Sequence, residues 1–147
     1  MIKLETIHEL DRVVVDPTIK SVSAVKNYSF ITNNGETYLV SNTITGDKAY
    51  ANDYTFPAGE YLNGYLVKSL EGQKLVIDEE HIDYAVSADY DDLTAGTTLL
   101  KVKAANGKLE VAAEAPTTGV YFKITDKCRL TGKAVKALII VADAVGA

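Results

Sequence analysis

The chain has a single cysteine, Cys128, and two histidines, His8 and His81, in 147 residues. One cysteine excludes an internal disulfide framework and agrees with folding in a reducing compartment; Cys128 reads as a small buried apolar residue. The two histidines lie far apart in sequence, so no ligand-spaced cluster for zinc is present. Met1-Ile2-Lys3-Leu4-Glu5 lacks the basic segment and apolar run of a secretory signal. The longest apolar run, Ala137 to Ala142, is too short to span a bilayer, so a soluble chain without membrane contact is expected.

Motifs that carry chemistry are also missing. No Gly-x-Ser-x-Gly elbow or phosphate-cradling glycine loop occurs, and Cys128 has no histidine near it in sequence. The carboxylate pairs Glu79-Glu80 and Asp91-Asp92 are adjacent, which points their side chains apart. The acidic stretch Asp89, Asp91, Asp92 lacks the ordered ligands and closing glutamate of a calcium loop. The expectation is a chain that is not an enzyme and takes no metal or cofactor.

The formal charge of −5 is unevenly spread, −9 over residues 1–100 and +4 over residues 101–147. A mildly basic tail on an acidic chain does not make the basic, aromatic surface of a nucleic-acid binder, so nucleic acid is not an expected partner.

What is present is a succession of short apolar runs separated by turn formers. The central one runs from Ala95-Gly96-Thr97 along Leu99-Leu100-Lys101-Val102-Lys103, through Asn106-Gly107, and back along Lys108-Leu109-Glu110-Val111-Ala112. Asn-Gly predicts a two-residue type I′ turn, because both positions tolerate positive φ. Alternation predicts a buried face of Leu109, Val111 and Ala113. A weaker copy of this pattern, from Ala58-Gly59 through Leu66, Gly72 and Lys74-Leu75-Val76, predicts a second hairpin. Asn34-Gly35 predicts a third, between Tyr28-Ser29-Phe30-Ile31 and Thr37-Tyr38-Leu39-Val40. Asp78 followed by Glu79-Glu80 predicts a short helix whose buried face is Ile82, Ala85 and Val86. The apolar run ending the chain predicts a strand covered on both faces.

The expected architecture is mainly β: one compact β-barrel or sandwich built from hairpins over residues 21–147, with one or two short helices. Residues 1–20 form an N-terminal arm or a short helix. At this length about two-thirds of the unfolded chain's surface can be buried, so no staple is needed.

Residues 41–60 are rich in turn formers, and with the following strand they hold Tyr50, Tyr54, Phe56, Tyr61 and Tyr65. Aromatics combine large apolar area with little rotamer entropy, so this group is either a partner surface or satellite core under the loop. Ile2, Leu4 and Ile7 are the apolar positions with which an N-terminal arm would grip a neighbour.

Over about twenty residues the central hairpin, Ala95-Gly96-Thr97 through Gly107-Lys108-Leu109, resembles the head decoration proteins of tailed bacteriophages. The chain differs from their shortest members by its additional N-terminal hairpin region. The resemblance implies a structural virion protein, made in the bacterial cytoplasm, that binds the outside of an assembled capsid. There it would bridge subunits of the major capsid protein, as a homo-oligomer such as a trimer. Other virion β-modules of tail, neck or head-fibre base share this style, and a small-ligand-binding β-barrel stands behind them.

Overall fold

A computed structural model describes residues 2–4, 14–41, 54–128 and 132–142. Their strands are β1 (Ile2–Leu4), β2 (Val15–Lys20), β3 (Val25–Lys26), β4 (Phe30–Asn33), β5 (Glu36–Val40) and β6 (Thr55–Phe56), then β7 (Tyr61–Leu66), β8 (Lys74–Asp78), β9 (Leu99–Lys103), β10 (Lys108–Ala112), β11 (Gly119–Cys128) and β12 (Ala134–Ala142). Three sheets result, ordered β1-β8-β12-β11-β9-β10, β2-β7-β5-β4 and β3-β6. Neither larger sheet closes on itself, so the expected β fold is an open sandwich and the closed-barrel form is set aside.

The alternation of each strand sorts the core. Leu75 and Ile77 on β8, Val135, Ala137 and Ile139 on β12, Phe122 and Ile124 on β11, and Leu100 on β9 all face one way. They meet Phe30 and Leu39 from the four-stranded sheet, and Val67 and Leu70 from the turn between β7 and β8. Val40, beside Leu39, points to the opposite face and joins Val25, Phe56 and Leu62 in a second cluster under the β3–β6 ribbon. The four-stranded sheet is therefore apolar on both faces and is the middle layer. Its packing is close at Gly64, where an added Cβ would stand 2.6 Å from Ile19 Cδ1.

Asn34-Gly35 makes the two-residue turn, with φ of 52° and 78° and Asn33 paired to Glu36. Asn106-Gly107 does not: Lys103 pairs with Lys108 across four residues, and only Gly107 has positive φ. On β10 Leu109 is buried, but Val111 lies beyond the facing layer at 49% exposure, and Ala112, not Ala113, is covered.

The 58–76 pattern is not a hairpin. A single 3-10 turn, Val67–Leu70, carries the chain from β7 in one sheet to β8 in the other. The helix over 78–86 shrinks to a 3-10 turn, Glu79–His81, without a side-chain cap from Asp78. Ile82 is buried and bridges Leu109, whereas Val86 is 98% exposed and Ala85 is also on the surface. The N–H of Asp83 donates to the Leu109 carbonyl at 2.6 Å, which takes the chain out of helical pairing.

Residues 2–4 and 15–20 are strands of the two large sheets, β1 against β8 and β2 against β7, so these parts of the N-terminal segment are neither a free arm nor a helix. The terminal apolar run does become a strand between two neighbours, but only its Ala137 and Ile139 side is fully covered.

Candidate docking surface

The residues of opposite parity on the six-stranded sheet form its outer face. Register places Lys74 (β8), Leu138 (β12), Lys123 (β11), Leu99 (β9) and Ala112 (β10) in one row across five strands. Strand spacing of about 4.8 Å makes that row roughly 19 Å wide. Beside it stand the pair Ile140–Tyr121 on one side and the row Val76–Lys136–Asp126 on the other. Lys101 pairs with Glu110 and Lys103 with Lys108 further along β9 and β10.

The face thus carries Lys74, Lys101, Lys103, Lys108, Lys123 and Lys136 against Asp78, Glu110 and Asp126. Lys3 occupies the register position opposite Val76. Leu99, Tyr121, Leu138 and Ile140 are only half-buried, unlike the inner residues beside them. Ala112, at the β10 end of the row, is 8% exposed, so that end of the face is covered.

Some of these lysines are held. Lys101 lies 3.8 Å from Glu110, and Lys103 Nζ donates to Asp83 Oδ2 at 3.0 Å. That bond, with a second from Asn106 Nδ2 at 2.6 Å, holds the Asp83 carboxyl below its usual range and raises Lys103. Lys74, Lys108 and Lys123 form no ion pair with a described residue.

The tip of the β9–β10 hairpin is fastened to the middle layer, since the Phe30 N–H donates to the Gly107 carbonyl at 2.9 Å. Gly107 has φ +71°, and a Cβ there would stand 3.0 Å from the Phe30 oxygen. Between this tip, the β4 edge and the β3–β6 ribbon lies a half-open groove of about 540 Å³, lined by Val25, Phe30, Ile31, Val102, Thr32 and Asn106 among others.

The residues singled out from sequence are dispersed. Ile2 is 3% exposed in the main core, and β1 extends through Leu4. Phe56 is 6% exposed in the second cluster, so it and Ile2 have little surface to offer a partner. Tyr65 packs partly against the main core. Tyr54, edge-on to Phe56 at 4.7 Å, and Tyr61, with Lys20 Nζ 4.7 Å above its ring, remain exposed. Ile7 and Tyr50 lie outside the described residues.

No family model, curated protein or solved structure matches the chain.

No group of three or more His, Cys, Asp or Glu side chains stands placed for a metal among the described residues. His81 is buried, edge-on to Tyr28 at 5.8 Å. Burial is the main cause that lowers its pKa to about 4, with Lys26 adding to the effect and Glu80 and Asp78 opposing it. Burial and then Asp78 raise Tyr28, and burial and then Glu79 raise Tyr84. Asp89, Asp91 and Asp92 are used within their own turn, where Asp89 Oδ1 accepts from the Asp91 N–H and Asp92 Oδ2 from the Asp89 N–H. No helix among the described residues is long and apolar enough to cross a membrane.

The outer face was not foreseen from sequence. Its only sequence signal is lysine at alternate positions, Lys101 and Lys103 and again Lys74, Lys123 and Lys136 one per strand, among the half-covered aliphatics of apolar strands.

Proposed function

We propose that this chain is a structural virion protein that docks on the outside of an assembled phage capsid and stabilises it by bridging coat subunits. The observation that carries the reading is the outer face of the six-stranded sheet, on which Lys74 and Lys123 alternate with Leu138 and Leu99. The hairpin that bears the decoration-protein resemblance, β9–β10, forms one end of that same face.

The physical consequence is linkage. A protein that binds only the assembled lattice stabilises it against dissociated or ruptured states. Contacts made by one oligomer to several coat subunits are intramolecular after the first, so modest individual affinities suffice. Exposed Tyr54, just before β6, and Tyr61, on β7, are two further positions through which a homo-oligomer could form.

The test is quantitative mass spectrometry of purified particles, reporting copies of this chain per major coat subunit. A simple ratio with hundreds of copies per particle supports decoration. A handful of copies moves the chain to the tail, neck or fibre base, and complete absence from particles overturns the virion reading. The groove beside Phe30 has the volume of a small-ligand site, so in that last case a thermal-shift ligand screen is the next experiment.

A further inference from the structure

The outer face also carries information about what it meets. Across the sheet, Leu138 is flanked by Lys74 on β8 and Lys123 on β11, and Lys123 is itself flanked by Leu99 on β9. A cation set between aliphatic side chains is desolvated when a partner covers the row, and a buried unpaired ammonium is costly. The partner must therefore bring carboxylates to Lys74 and Lys123 and apolar surface to Leu138 and Leu99.

We propose that the outer face of the six-stranded sheet docks on an acidic surface of a different protein, one that sets apolar side chains between its carboxylates, with Lys74 and Lys123 as the residues that select it. This rests on the docking reading above, in which that protein is the coat subunit. A second copy of the chain stacked face to face on this surface sets lysine rows against lysine rows, and like charges brought together in a contact cost several kcal/mol. Nucleic acid is disfavoured by the three carboxylates on the face and by the aliphatic side chains between its lysines, where phosphate binding needs donors.

Size points the same way. Strands of five to ten residues, five strands wide, present roughly 500 Å² of sheet face, below the about 800 Å² per partner of a standard stable interface. Such a contact is weak singly and effective when repeated over a lattice.

The experiment adds the full-length chain to coat shells assembled without it and measures bound copies by co-sedimentation at 0.15 M salt and above, a condition set near the physiological screening length of about 8 Å. The paired variant Lys74→Gln with Lys123→Gln is compared with Thr97→Glu with Thr118→Glu, which changes net charge equally but sits on exposed loops. Thermal melts establish that all three proteins are folded. The expected result is roughly tenfold weaker shell binding for the lysine pair, change within about twofold for the loop pair, and binding by the natural chain that weakens steeply with salt.

Equal losses for both pairs, or no loss for either while the natural chain binds, overturn the inference and leave the docking reading standing. Failure of the natural chain to bind shells overturns the docking reading together with the inference. Self-association of the natural chain in sedimentation velocity that the lysine pair abolishes makes a second copy the occupant, and duplex DNA binding abolished by the same pair makes it nucleic acid. Either result also overturns the proposal.

Discussion

Ile139 and Ile140 are the same residue type, adjacent in the same strand, yet Ile139 is 1% exposed in the core while Ile140 is half-covered by its sheet neighbours. The difference runs through the whole six-stranded sheet. Its inner face carries Phe122, Ile124, Leu75, Ile77 and Leu100, and its outer face carries lysine and aliphatic side chains in rows. A strand that reads as nearly continuously apolar can thus have two unlike faces, one buried in the core and the other only half-covered.

Substitutions should separate the two faces sharply. Phe122, fully buried with its ring 5.4 Å from that of Phe30, anchors the inner side. Phe122→Ala is expected to cost about 3–5 kcal/mol in urea unfolding, through lost burial and the cavity left behind. A loss below about 1 kcal/mol would mean that the inner layer carries far less of the stability than its burial implies.

The interior should also respond to pH. His81 titrates near 4 in the folded chain against 6.5 when unfolded. Above pH 6.5 both states hold it neutral. Below, the unfolded chain takes a proton that the folded chain refuses until about pH 4, so stability falls across that window by up to about 3 kcal/mol. Carboxylates titrate there too, so the comparison is with His81→Phe, whose stability profile between pH 7 and 4.5 should be flatter; parallel profiles would remove His81 as the cause.

A smaller effect is expected at the end of the inner face, where the buried Tyr90 hydroxyl donates to the Ala134 carbonyl at 2.8 Å. Tyr90→Phe should cost about 1–2 kcal/mol, because that carbonyl loses a partner without access to water. Smallest of all is the outer face: Ile140→Ser should change stability by less than about 1 kcal/mol. A loss comparable to that of Phe122→Ala would show Ile140 to be covered by the chain itself.

How far the sequence disclosed this is clearest in the two Asn-Gly turns. Asn34-Gly35 sits at the free end of β4 and β5, where nothing competes with local preference, and it forms the expected turn. At Asn106, Asp83 reaches from 23 residues away to take the side-chain amide, and Phe30 bonds the Gly107 carbonyl, so tertiary contacts set a four-residue loop. Local preference gave way for the same reason at 78–86, where pairing of Ile82 and Asp83 with Leu109 replaced the helix.

The β class, most strand positions and the Phe30–Val40 hairpin were legible because period-2 patterning and turn chemistry are local properties. The outer face was not, because Lys74, Lys123 and Leu138 become neighbours only through strand order. The burial of Ile2 and Phe56 was hidden for the same reason, because only the layer packed on a strand decides whether an apolar residue in it meets the core.

The position of β12 also shapes how the chain comes into being. β8 is paired on one side with β1 and on the other with β12, and β12 in turn holds β11 and, through it, β9 and β10. Synthesis runs from the N-terminus, so β8 leaves the ribosome well before the strand that must fill the gap beside it. Until Ala134–Ala142 emerges, the sheet has a vacant centre with open edges, the state most exposed to wrong pairing. Completion of this sheet is therefore governed by long-range pairing, slow on the millisecond-to-second scale of such β topologies, and a ribosome stalled before Ala134 should carry a chain still open to protease.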